Sequence, residues 1–255
     1  MTSAARSLRR WLFPAGSILG GIGLWALVSR RVNPLFLPSP AATWAAALEL
    51  WTDGTLISSV LASAGRILLG WGLGLAVGIP LGIVMGQIRS VRLLLDPYIE
   101  FFRFIPPIAF VTLAIIWLGP GEASKVALIF YTTVFIVILN MIAGVLSVSE
   151  LRLRAAAALG AGRWQTVATV VLPSTVPFMV TGARIAMGNS FLTIVSAEIV
   201  AAQEGLGALI WSARNFGRTE WVFVGIIVLG MVGFVFDRLV RLAAARFLRR
   251  YGVAA

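Results

Sequence analysis

Long apolar stretches alternate with short polar ones along this chain. Six are placed roughly at Trp11–Ser29, Val60–Gly86, Ile105–Leu118, Val126–Leu146, Thr175–Val200 and Trp221–Leu242. About 20 apolar residues cover a bilayer's hydrocarbon core, so these stretches predict membrane-spanning helices. The third is short and follows Pro106-Pro107. The first follows Arg6, Arg9 and Arg10, like a signal peptide. Its apolar run is too long for one, and it ends in Leu27-Val28-Ser29-Arg30-Arg31 without a small-residue cleavage site, so it is read as a span.

The polar interruptions differ in character. Asn33–Trp51 opens with Pro34, Pro38 and Pro40 and reads as a helix from Ala41, at the outer face. Gly119-Pro120-Gly121 is a tight outer turn. Ala202–Asn215 is broken by glycines and too polar to cross; it dips partway or lies at the outer surface. The fourth interruption, Glu150–Ser174, predicts an Ala-rich helix (Ala155–Leu159), a turn at Gly160 and Gly162, and a second short helix ended by Leu172-Pro173. It carries Arg152, Arg154 and Arg163, and it has the form of a docking knob.

Composition supports a membrane protein. The chain of 255 residues is 59% hydrophobic and 12% charged, more apolar surface than a soluble domain can bury. The runs are too long and unbroken for barrel strands, so the class is an all-α polytopic membrane protein of about six helices in one domain, residues 1–255. The net charge of +11 suggests nucleic acid in a soluble protein. Here basic residues follow topology: fourteen lie on the side of the N-terminus (Arg6, Arg9, Arg10, Arg89, Arg92, Arg103, Arg152, Arg154, Arg163, Arg238, Arg241, Arg246, Arg249, Arg250), against Arg30, Arg31, Lys125, Arg214 and Arg218 opposite. The asymmetry puts both termini and the 150–174 segment in the cytoplasm. Lipids are then the surrounding partner, and nucleic acid is not expected. With no Cys and no His, thiolate chemistry, imidazole bases and Cys/His metal sites are excluded.

Two patterns lie within the spans. Gly70, Gly74, Gly78, Gly82 and Gly86 recur every four residues and form a slanting groove for close helix packing, with a role in motion as the lesser alternative. Arg66, Arg184 and Glu198 sit in apolar surroundings, with Asn140, Asn189, Ser190, Thr193 and Ser196 nearby. They read as a candidate translocation path, or else as static ion pairs and snorkelling charges.

The knob then matches a family. Arg154-Ala155-Ala156, three residues, Gly160, nine residues, Val170, one residue, Leu172-Pro173 resembles the EAA-x3-G-x9-I-x-L-P loop of permease subunits of binding-protein-dependent ABC importers. LPSP at Leu37–Pro40, Ser63–Gly70 with Arg66, GIPLGIVMG at Gly78–Gly86, Asp96-Pro97, IPPIAF at Ile105–Phe110, IIWLGPGEASK at Ile115–Lys125, AEIVAAQEGLGALI at Ala197–Ile210 and Asp237-Arg238 resemble one branch. That branch comprises the aliphatic sulfonate, taurine and nitrate permeases. The resemblance implies a type I importer permease fold and a homodimer. It implies two ATPases that carry ATP and Mg, and a periplasmic or lipid-anchored solute-binding protein. It implies a bacterial inner-membrane location and a small anion as cargo. It also implies a coupling loop at Arg154, Ala155, Ala156, Leu159, Gly160, Ala161, Gly162, Arg163, Leu172 and Pro173. The family's leading Glu is Arg154 here, and Glu150 stands four residues earlier on the same helical face.

The chain has no GxxxxGK[ST] loop, so it holds no nucleotide-binding motif of that kind and is not expected to be an enzyme or to carry a cofactor. The alternative, a stand-alone secondary transporter or channel, calls for coupling carboxylates at depth and an internal repeat. No repeat is visible, and Glu198 is nearly alone.

Overall fold

The structure, a computed structural model, describes residues 3–248; the side chains of residues 3–12, of Pro14 and of Phe247 lie outside the description. Arg6, Arg9, Arg10, Trp11, Arg249 and Arg250, which enter the topology argument, therefore fall outside it. All regular structure among the described residues is helical. The α-helices are α1 (Ser3–Ser29), α2 (Pro40–Thr52), α3 (Thr55–Gln87), α4 (Arg89–Phe102), α5 (Val111–Leu118), α6 (Glu122–Leu146), α7 (Glu150–Ala158), α8 (Arg163–Thr166), α9 (Leu172–Ala201), α10 (Leu206–Asn215) and α11 (Thr219–Phe247).

Four stretches are long and apolar enough to cross a membrane: Thr55–Gln87, Glu122–Leu146, Arg163–Ala201 and Thr219–Arg246. The α4–α5 pair, bent by 88°, makes a fifth if counted as one broken span. In α1 the described apolar part is Ala15–Ser29, shorter than a span. It leans on the rest near one end, where Trp25 donates to the Pro38 carbonyl at 2.9 Å and stacks on Phe223.

The seam between α3 and α6 organises the bundle. A Cβ added at Gly70, Gly74, Gly78, Gly82 or Gly86 would stand 2.4 to 2.9 Å from side-chain atoms of Ile129, Thr133, Val137, Met141 and Val145 in turn. Both helices use a spacing of four, so their ridges run alongside each other without collision. Against its other side α6 holds α9: a Cβ at Gly182 would meet Asn140, and one at Gly144 would meet Phe178.

Two sequence expectations are corrected. Ile105–Leu118 is not one straight span. Pro106 is extended, Pro107–Phe110 forms a 3-10 turn, and α5 has only 8 residues, about 12 Å of rise. Consecutive prolines remove two donors and push the preceding residue out of the helical region, so the chain turns a corner there. Leu172-Pro173 does not end the knob either. The chain stays helical from Arg163 through a π-type turn at Val167–Val171 into α9. Proline is tolerated in a helix's first turn, and the wider π turn before it is the kind of local opening a proline requires.

Candidate functional site

Two places gather the chemistry, one exposed and one buried. The first is the projection of α7 and α8. Helix α7 ends in a hydrogen-bonded cap: Gly160 N–H donates to the Ala157 carbonyl at 2.9 Å and Ala161 N–H to the Ala156 carbonyl at 3.0 Å. This pairing is the Schellman motif, which needs a left-handed residue just past the helix, and Gly160 has φ +76. Gly162 is extended and caps α8, accepting from Thr166 N–H at 2.9 Å. The glycine at the motif's fixed position thus sets the angle between the two short helices.

Most of this projection faces outward. Ala156 is its buried anchor, whereas Leu151, Leu159 and Trp164 are 78%, 88% and 84% exposed. These apolar tips on a polar segment make the projection a candidate protein-contact surface. Leu151 precedes the motif and Trp164 lies between its fixed positions, so the spacing alone does not single them out. Arg154 donates to Glu150 at 2.6 Å with both side chains exposed, a pair that contributes little by itself. A cleft of about 790 Å3 opens between α7 and the start of α9, walled by Arg152, Ala155, Ala156, Leu159, Thr169 and Pro173 among others.

The second place is the interior. Arg66 is buried and fully engaged. Its Nε and Nη2 donate to Glu122 at 2.5 and 2.8 Å, and its Nη1 donates to Glu198 and to the Glu204 carbonyl, each at 2.6 Å. Lys125 adds a donation to Glu122 at 3.1 Å. Glu198, with no exposed surface, also takes Gly207 N–H at 2.8 Å and the Ser63 hydroxyl, which accepts in turn from Leu206 N–H at 2.9 Å. The turn before α10 is shaped to this carboxylate. Gly205 has φ +126, and a Cβ there would come within 2.4 Å of Glu198. The cluster fastens α3, α6, α9 and α10 together, with Arg66 and Lys125 balanced by Glu122 and Glu198.

The other path candidates are scattered. Arg184 pairs with Asp237 at 2.9 Å on the α9–α11 seam, where Arg241 joins at 2.8 Å. Asn140 donates to the Ile136 carbonyl of its own helix. Ser190 and Thr193 meet Thr133 and Thr132 across the α6–α9 seam at 3.3 and 3.0 Å. Asn189 lines an open cavity, of about 360 Å3, beside Arg103, Tyr131 and Thr132. Just before α11, beyond the spans, Glu220 first and then Glu49 hold the Arg218 guanidinium above its ordinary range.

Comparison with known proteins settles the family. Residues 78–249 match the model of the binding-protein-dependent transport system inner membrane component. The taurine transport system permease protein of Escherichia coli (strain K12) is 39% identical, over 89% of this chain and 85% of that protein. A probable ABC transporter permease of Brucella melitensis is 37% identical, over 89% and 92%. A chain of the inward-facing MetNI methionine ABC transporter superposes with a TM-score of 0.62 at 20% identity, over 75% of this chain and 97% of that one, which shows a shared fold. The chain belongs to the binding-protein-dependent transport system inner membrane components: it is a multi-pass permease subunit of an ABC importer, dependent on a separate ATPase and a solute-binding protein.

Proposed function

We propose that two copies of this chain enclose a path for a small anion, a sulfonate such as taurine first, with both termini in the cytoplasm. Two ATPases dock on the α7–α8 projections, and ATP and Mg belong to them. A periplasmic or lipid-anchored binding protein delivers the solute to the opposite face. The observation that carries this reading is the capped projection with exposed Leu151, Leu159 and Trp164 at its tips. A rigid projection seated in a partner's groove can transmit closure of the ATPases as rotation of the helix bundle. The taurine permease at 39% identity supports the cargo class. A stand-alone transporter is less well supported, because the buried Glu198 is held by Ser63, Arg66 and Gly207.

The test is ATP-driven taurine uptake in vesicles holding the permease, the ATPase and the binding protein. Gly160→Trp adds its bulk outward, since nothing lies within 4 Å of a Cβ there. The variant is expected to stay in the membrane, lose the co-purifying ATPase and lose at least tenfold in uptake. Uptake at the native rate in this variant would remove the projection from the docking surface.

A further inference from the structure

The apolar settings of Arg66 and Arg184 make them the first candidates for handling an anion, yet both are committed to carboxylates. Arg103, counted in the topology argument with the cytoplasmic basic residues, is instead placed beside a cavity with Tyr131 and Asn189. It caps α4 at the corner that the two prolines create. Tyr131 fixes that corner from α6, its hydroxyl lying against the Phe102 carbonyl and 3.3 Å from the Ile105 carbonyl. Tyr131 is roughly 14 Å down α6 from Glu122, and Asn189 is roughly 18 Å from the far end of α9, at 1.5 Å of rise per residue. The cavity that these residues share therefore lies well inside the lengths of both spanning helices.

Arg103 is one-third exposed, at 34%. Its Nε and Nη2 both rest on one oxygen of Glu100, at 3.0 and 2.6 Å, and its guanidinium lies 4.5 Å from the centre of the Phe104 ring. Among the described residues its Nη1 has no hydrogen-bond partner. Arg103 lines the cavity, and Glu100 does not. The remaining polar wall supplies one further open donor. The Asn189 amide uses one of its two N–H groups on the Ile185 carbonyl at 3.0 Å and keeps the other. The Thr132 hydroxyl, also on the wall, is committed to the Leu128 carbonyl at 3.1 Å and to Thr193 at 3.0 Å.

We propose that Arg103 is the anion-reading residue of the translocation cavity: its guanidinium, with the Asn189 amide, receives the sulfonate or a comparable oxyanion in transit. This rests on the permease reading and assigns the cargo's charge to one side chain. A planar cation already in van der Waals contact with Phe104 keeps its orientation as the anion arrives, and a guanidinium matches an oxyanion with two parallel N–H groups. Its pairing with Glu100 is partly exposed and weak, so an anion competes with that carboxylate for the same donors. The site is thereby a transient one, suited to passage.

Two readouts separate this proposal from the reading beneath it. The chain has no cysteine, so Asn189→Cys places a single thiol in this subunit's cavity. In the reconstituted transporter, label rates with an anionic and a cationic methanethiosulfonate reagent, each normalised to a free thiol, report the local potential. The anionic reagent is expected to be favoured. Adding Arg103→Gln should lower the ratio about tenfold, the scale of one unit charge a few ångströms away in a partly wet site. Arg103→Lys should restore most of it. In chains without the added thiol, Arg103→Gln should cut maximal taurine uptake more than tenfold with KM unchanged, since the binding protein makes the first capture.

A ratio unmoved by Arg103→Gln, or native uptake in that variant, overturns the proposal while the permease reading stands. If the native transporter moves no taurine yet the ratio still follows Arg103, the choice of taurine falls and the anion cavity remains. Should Arg103→Gln fail to assemble, Glu100→Gln decides: freeing the guanidinium should raise the ratio severalfold, and an unchanged ratio overturns the proposal.

Discussion

The α3–α6 seam and the α7–α8 projection both depend on small residues, for opposite reasons. In the seam, glycine is required for space: each of the five has a facing side chain where its Cβ would stand. In the projection, Gly160 and Gly162 have nothing within 4 Å of a Cβ, and Gly160 is required for its left-handed backbone. One region removes side chains so that two backbones can approach, and the other uses glycine to set the angle between two short helices that project from the bundle. A glycine in the seam is thus a packing residue, and Gly160 is a geometric one with room around it.

Substitutions can break this contrast. The largest effect is expected at Gly74→Leu, whose Cβ alone would lie 2.4 Å from Thr133, a side chain with no exposed surface. The seam would have to part, an overpacking cost of about 3 kcal/mol or more. Loss of monodisperse protein in mild detergent is the expected result, and a native unfolding temperature would show that the seam can yield. Gly162→Ala is the matching control, with φ −67 and open space, and should leave stability unchanged.

A second contrast lies between the two ion-pair systems, and the next effect in size belongs to it. Glu198→Ala leaves Arg66, only 6% exposed, without one of its carboxylates and costs about 3 kcal/mol. Glu198→Gln keeps the shape and the Gly207 hydrogen bond and should cost less. Thermal unfolding of the two variants side by side checks the order, and equal losses would mean that packing rather than charge matters at this position.

The smallest effect is expected at Glu150→Gln. Both members of the Glu150–Arg154 pair are about four-fifths exposed, at 80% and 79%. Its loss should change stability by less than about 0.5 kcal/mol, and ATPase co-purification is expected to persist. A larger fall would show that the pair, and not the glycine cap, holds the projection.

Much of this was legible in the linear pattern. The glycine spacing marks one face of α3, the apolar runs mark α6, α9 and α11, and Gly160 marks the turn. The corner at Pro106-Pro107 was visible as a weak point of the third span, although the 88° bend was not. The interior site was harder to read. Apolar surroundings draw attention to Arg66 and Arg184, but Arg66 is neutralised by Glu122, fifty-six positions away, and by Glu198, farther still. Arg103 has ordinary neighbours in sequence, Glu100 and Phe104, and nothing local shows that it borders a cavity.

The sequence by itself determined the solvent, the helical class and the place of the α7–α8 projection. These depend on hydropathy over about 20 residues, on backbone preferences at single glycines and prolines, and on a motif of fixed spacing, all of which are local in the chain. Only the tertiary structure decided which charges are committed and which are open. A charge inside a bundle is defined by the partners that three or four helices bring to it, and those partners lie far away in sequence. Arg66 became an anchor because α6, α9 and the turn before α10 supply its acceptors, whereas the Arg103 Nη1 has no hydrogen-bond partner among the described residues, because the corner between α4 and α5 turns it toward a cavity.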